Sequence, residues 1–273
     1  MTVLSEMFAG LRAENRAALV GYLPAGFPDL AGSKDLFAAI IEGGPAGGCD
    51  LVEVGLPFSD PVLDGPSVQH AAGQALANGF RVRDTFEIVE SVTSRGGRAV
   101  VMTYFNPVLA YGVEAFARDL AAAGGAGVIT PDLIVDEAGP WLDAVHAHDL
   151  DPIFLVAPSS PVERIALTTA AGGGFVYAAS VMGVTGARDR VSTAAPDLVA
   201  RCRTVTDLPI GVGLGVRTGE QAREIAEYAD AVIVGSAFLD AYAHGGRDAL
   251  VTLAGDLAAG VRAATRPQPA RIN

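Results

Sequence analysis

The segment Asp50-Leu51-Val52-Glu53-Val54-Gly55-Leu56-Pro57-Phe58-Ser59-Asp60-Pro61-Val62-Leu63-Asp64-Gly65-Pro66 carries the sharpest chemical signal in the chain. Its first half reads as a buried strand. Side chains alternate along a strand, so Val52 and Val54 face one way while Leu51, Glu53 and Gly55 face the other. The valines suit a layer of helices, which sends Glu53 to the enclosed side. An unpartnered carboxylate there is costly or moves its pKa upward. Two readings follow: a glutamate satisfied by a buried hydrogen-bond network, or a general acid/base tuned toward neutrality. Behind it, Asp60 and Asp64 lie among Pro57, Pro61 and Pro66, whose fixed φ angles restrict the loop and suit the placement of an acid.

A second signal is glycine-rich. Gly211-Val212-Gly213-Leu214-Gly215 ends one apolar run, and Val234-Gly235-Ser236-Ala237 ends another and opens a helix. Such turns let backbone N–H groups approach a phosphate at a helix N-terminus, where the dipole favours an anion. Tight strand-to-helix turning is the alternative. The spacing is not GxGxxG, so no dinucleotide site is indicated. A third segment, Tyr177 to Arg190, places Gly183 and Gly186 around small polar residues and ends in charges. That composition fits a lid as well as a long solvated loop. His146 and His148 stand two apart in an expected helix and face different sides. His70 and His244 lack a recognisable catalytic partner, and Ser59 in PFSDP is no GxSxG elbow.

Short apolar runs must position these residues: Ala18 to Leu23, Asp50 to Leu56, Ala99 to Phe105, Gly127 to Thr130, Pro152 to Val156, Phe175 to Ser180, Pro209 to Gly213 and Ala231 to Val234. They are nearly continuous hydrophobics, as strands buried on both faces are. Ala-rich stretches with helical spacing separate them, such as Val113 to Ala123 and Gly219 to Tyr228. The alternation in a chain of 273 residues predicts a single-domain α/β (β/α)8 TIM barrel, with a doubly wound open sheet as the alternative. In a barrel the chemistry lies at the carboxyl ends of the strands, where Glu53 and both glycine clusters fall. Within residues 1–16, Ser5 to Asn15 reads as a helix with Met7, Phe8 and Leu11 on one side, suited to closing the barrel floor. The tail over 266–273 is polar and reads as frayed.

The charge balance, 19 basic against 31 acidic residues for a net −12, argues against nucleic acid or an anionic membrane as partner. Cys49 and Cys202 are too few and too far apart for a disulfide scaffold, which fits a reducing compartment. The charge-free stretch from Ile165 to Ala187 has the length of a membrane span, but its glycines, serines and threonines make it a poor lipid-facing helix. The expectation is a soluble, cytoplasmic protein.

The chain resembles the tryptophan synthase alpha-chain family over almost its whole length. The motifs that carry the resemblance are LVEVGLPFSDPVLDGP (Leu51 to Pro66), Tyr-Phe-Asn-Pro (Tyr104 to Pro107), SVMGVTGAR (Ser180 to Arg188), GVGLGV (Gly211 to Val216) and VGSAF (Val234 to Phe238). The resemblance implies a lyase that cleaves indole-3-glycerol phosphate into indole and glyceraldehyde 3-phosphate. It implies no cofactor in this chain, and a beta-chain partner that carries pyridoxal phosphate within an alpha-beta-beta-alpha heterotetramer.

By motif position, Glu53, Asp64 and Tyr177 resemble the catalytic group. Tyr22 matches a residue beside the indole ring, and Thr185, Gly186, Gly215, Gly235 and Ser236 match the lid and phosphate cradle. Pro57, Asp60, Asn106 and Asp132 fall at the expected partner interface. No metal is implied, and the only lysine, Lys34, lies after the first strand, away from a Schiff-base position. Two departures stand out: Ile134 where relatives often have proline, and Leu214 where an aromatic residue is common. A stand-alone lyase, a non-catalytic allosteric barrel, and a metal-dependent lyase using Glu53, Asp60 and Asp64 are the rival readings.

Overall fold

The computed structural model describes residues 1–60, 63–179, 194–213 and 215–266. Helix α1 (Val3–Ala13) comes first, followed by β1 (Ala18–Pro24), α2 (Leu30–Glu42), β2 (Leu51–Gly55), α3 (Pro66–Ala77) and α4 (Val82–Thr93). Next come β3 (Ala99–Met102), α5 (Phe105–Tyr111), α6 (Val113–Ala122), β4 (Gly127–Ile129) and α7 (Gly139–Ala147). The second half holds β5 (Asp151–Ile153), β6 (Leu155–Val156), α8 (Val162–Ala171), β7 (Val176–Ala179) and α9 (Ala194–Arg203). It ends with β8 (Ile210–Gly213), α10 (Gly219–Ala226), β9 (Ala231–Val234) and α11 (Ser236–Ala263), the last kinked at Gly245 and Gly246.

The strands pair in parallel in the order β5-β4-β3-β2-β1-β9-β8-β7-β6. The two outer members of that order are one stretch of chain interrupted at Phe154. Its first half pairs with β4 and its second half with β7. The Phe154 carbonyl accepts from the Tyr177 N–H at 3.1 Å across the break. The ring therefore closes, and the expected run Pro152 to Val156 is a single stave with a one-residue interruption. A doubly wound sheet would leave two free edges; this one leaves none. The run expected to reach Phe105 stops at Met102, because Phe105 already opens α5, with its N–H taken by the Asp132 carboxylate at 2.9 Å.

Two hydrophobic cores follow from strand alternation. Val52, Val54, Val101 and Val212 face outward into the helical layer, packed with residues such as Phe37, Ile88, Phe116 and Phe238. Leu51, Val20, Val100, Ile129, Ile153 and Ile233 face inward. The inner core is sealed below by α1, whose Leu4, Met7, Phe8 and Leu11 join it, with the Phe8 and Phe175 rings 5.9 Å apart. Thr2 starts that helix by accepting from the Ser5 N–H. Each of these side chains contributes about 1.5–3 kcal/mol through removal of apolar area from water. The barrel is thus packed from its floor to the level of Glu53, and polar chemistry is left to its upper mouth.

Candidate active site

Glu53 is fully buried on β2 and faces the barrel interior, as the alternation with Val52 and Val54 requires. Neither carboxylate oxygen has a hydrogen-bond partner among the described residues. A satisfied structural glutamate would have its oxygens paired, so this arrangement favours the acid/base reading. Burial alone lifts the Glu53 carboxyl from 4.5 to about 8, so the group is protonated at neutral pH.

Two tyrosines stand around it. In the parallel register Glu53 is level with Tyr22 on β1. A Cβ on Gly55 would fall 2.5 Å from the Tyr22 ring, and one on Gly235 would fall 3.2 Å from it. The ring thus lies across the carboxyl ends of β2 and β9, in space that only glycine leaves at Gly55. Tyr177, on β7, fills the matching space above Gly213, where a Cβ would come within 2.7 Å of its hydroxyl. Burial raises both phenols well above their ordinary value, and the charge of Glu53 adds to each; for Tyr22, Asp64 adds more than Glu53. Both hydroxyls remain protonated donors at any working pH.

Asp64 is half-buried at the far end of the β2 loop. Burial raises its pKa, and a hydrogen bond from the Tyr104 hydroxyl opposes that rise by favouring the ionised form. The same hydroxyl accepts from the Leu63 N–H at 2.8 Å. Tyr104 therefore grips the loop at two consecutive residues and aims its carboxylate. Sequence reasoning quoted Tyr104 inside a motif and gave it no role. The available signal was its place: a polar-tipped aromatic just past the carboxyl end of a strand.

Across the mouth, Gly215 adopts φ +66°, a left-handed conformation natural to glycine, and Gly235 caps α11, with Ser236 as its first residue. β9 neighbours β1, which neighbours β2. Two strand spacings, roughly 10 Å, separate the backbone at Glu53 from that at Gly235. That separation is within the reach of one small molecule. Ser180, Thr185, Gly186 and Leu214 lie outside the described residues, as does the tail beyond Arg266.

Asn106 and Asp132 are exposed at this end of the barrel, as is Asp60, whose carboxylate accepts from the Ser59 hydroxyl at 2.8 Å. Pro57, in the same loop, is buried within this chain. Leu109 and Ile134 expose 56% and 54% of their surface nearby in sequence to Asn106 and Asp132. Lys34 lies on α2, paired with Glu87 at 3.1 Å. Among the described residues no group of His, Cys, Asp and Glu is arranged to hold a metal ion. No described helix is long and apolar enough to cross a membrane.

A family model described as "Tryptophan synthase alpha chain" matches residues 8–259. The chain is 63% identical to the tryptophan synthase alpha chain of Nocardia farcinica over 262 residues, covering 96% of this chain and 97% of that one. It superimposes on a chain of Mycobacterium tuberculosis tryptophan synthase with TM-score 0.90 and 59% identity, covering 96% and 98% of the two chains. A more distant likeness is to the tryptophan synthase alpha-subunit of Pyrococcus furiosus, at TM-score 0.79 and 31% identity, covering 89% and 98%.

Proposed function

The chain belongs to the tryptophan synthase alpha-chain family, and from that premise we propose that it cleaves indole-3-glycerol phosphate by a retro-aldol route, with Glu53 as the proton shuttle. The observation that carries the reading is the unpaired, fully buried Glu53 carboxyl, held neutral at pH 7.

Breaking the bond between indole C3 and the glycerol chain directly would expel an aromatic carbanion. Protonating C3 first avoids this, because the ring becomes an indolenine whose positive charge sits on the ring nitrogen. Glu53 enters the reaction as the acid that a pKa near 8 makes it, and gives its proton to C3. Now a carboxylate, it takes the proton from the hydroxyl on the carbon attached to C3. The C3–carbon bond breaks, its electron pair returns to the indole ring, and the chain carbon becomes the aldehyde of glyceraldehyde 3-phosphate. Glu53 ends as it began, so atoms and charge balance without a further base.

Asp64 faces the developing charge on the ring nitrogen and accepts its N–H. Tyr104 supports this role by favouring the ionised carboxylate. Tyr22 and Tyr177 wall the indole side and offer hydroxyl donors near the acid. The Gly215, Gly235 and Ser236 backbone at the start of α11 receives the phosphate. Nothing in this sequence of steps calls for a lysine nucleophile, in keeping with Lys34 being engaged elsewhere. The partner is a beta chain that holds pyridoxal phosphate and receives the indole. It docks over the face that carries Asp60, Asn106, Asp132 and the exposed apolar residues Leu109 and Ile134, in the cytoplasm.

The test is indole release from indole-3-glycerol phosphate, with and without a beta chain, for the wild type and Glu53→Gln. The amide keeps the shape and loses the proton, so kcat falls by about 10²–10⁴-fold while KM holds. Full activity in the glutamine variant removes Glu53 from the mechanism. Cleavage that does not respond to a beta chain favours the stand-alone lyase.

A further inference from the structure

The helix that begins at Ser236 carries Asp240 one turn on, and side chains of a helix lean toward its N-terminus, here toward the phosphate end of the site. One Asp240 carboxylate oxygen accepts from the Ser67 hydroxyl at 2.9 Å; the other lies 3.4 Å from the Arg217 guanidinium. Ser67 is in the first turn of α3, three residues beyond Asp64. Arg217 lies two residues beyond Gly215, in the loop that follows β8. The Arg217 backbone is itself fixed, its N–H donating to the Gln221 side chain at 2.8 Å. A single carboxylate thus joins the loop bearing Asp64, the loop bearing Gly215 and the helix that opens with Ser236.

We propose that Asp240 is a positioning residue that fixes the distance between the indole-reading and phosphate-reading ends of the site. The proposal rests on the retro-aldol reading above and deepens it. Asp240 touches no reacting atom. It acts through Ser67 on the Asp64 loop and through Arg217 on the glycine cradle, so that a ligand spanning both ends meets them at a preset separation. A ligand that occupies only one end gains nothing from this tie.

That asymmetry supplies the test. In Asp240→Ala, KM for indole-3-glycerol phosphate rises about tenfold, the scale of coupling between contacting residues. Affinities for the half-ligands, indole and glycerol 3-phosphate, stay within about twofold of wild type, and Tm stays within a few degrees. Ser67→Ala reproduces part of the loss. Adding it to Asp240→Ala costs nothing more, because the hydrogen bond is already gone. Asp240→Asn, which keeps an acceptor for Ser67, recovers part of the KM. An unchanged KM in Asp240→Ala overturns the proposal, as does a loss shared equally by the half-ligands or tracked by Tm. Wild-type enzyme without cleavage would instead overturn the reaction assignment, so the two failures are separate.

Discussion

Glu53→Gln is expected to stabilise the fold in a pH-dependent way. In the unfolded chain the carboxyl ionises near its ordinary 4.5, and in the fold near 8. Between those values the unfolded chain has released a proton that the folded chain retains. Stability therefore falls as pH rises through this window, by up to about 1.4 kcal/mol per pH unit. Below the unfolded value the contribution is fully present. At pH 7 about 3 kcal/mol has been lost, and above pH 8 the loss levels off near about 5 kcal/mol. Glutamine does not titrate, so its stability lacks this slope, and any constant difference between acid and amide drops out of the comparison. Urea unfolding of both proteins at about pH 5, 7 and 9 gives the difference directly from the midpoints, provided m is unchanged. The advantage of the variant should widen from the lowest to the highest pH. The same titration should appear in wild-type kinetics as a kcat/KM that is level at neutral pH and declines above about pH 8. A stability difference that is flat with pH would mean that Glu53 ionises normally, and the acid-first order of proton transfer would fall with it.

Tyr104→Phe removes the hydroxyl that holds Leu63 and Asp64. It should lower kcat about tenfold with little change in Tm, and a pH–rate profile should place the Asp64 ionisation higher than in the wild type. Phe8→Ala opens a cavity in the barrel floor and should cost about 3–5 kcal/mol in denaturant unfolding, while kcat per folded molecule is retained. Ile134→Asp should weaken beta-chain binding, measured by titration calorimetry, by about tenfold or more, with cleavage by the isolated chain unaltered. Because the chain is acidic overall at −12, its long-range field repels a phosphate dianion. Raising ionic strength toward 0.15 M, where the screening length is about 8 Å, should leave kcat/KM level or raise it; a steep fall would point to a cationic funnel that the sequence does not contain.

The barrel was legible because strands buried on both faces leave continuous apolar runs, and because period-two alternation assigns each residue to the inner or outer core. Val52 and Val54 against Glu53 is the clearest instance. The floor helix was legible for the same reason, through the spacing of Met7, Phe8 and Leu11. The break at Phe154 was not, since a one-residue interruption in a stave leaves Pro152 to Val156 looking like any other apolar run. The end of β3 was missed for a different reason: what stops the strand at Met102 is a carboxylate from Asp132, about 30 positions away in the chain, that claims the Phe105 N–H. Tyr104 and Asp240 share that limitation, because their partners are residues of other loops, and side chains that act across loops leave no local pattern.

These cross-loop contacts divide the work between backbone and side chain. Fixed main-chain geometry sets the gross reach of the site, because β2, β1 and β9 are hydrogen-bonded neighbours and their spacing cannot vary. Tyr22 spans that width and allows Gly55 no Cβ. Loops, however, move more freely than strands, and both Asp64 and Gly215 are on loops. Their placement needs a tether that strands cannot give. Tyr104 holds Asp64 from the β3 side, and Asp240 holds the loop's exit from the β9 side, while α11 supplies the rigid base. On the proposed route, a buried acid that gives its proton to one ring carbon and takes it back from one hydroxyl tolerates little displacement of the substrate. The barrel suits that demand by fixing Glu53 on a strand and restraining the loops around it with single polar contacts from Tyr104 and Asp240.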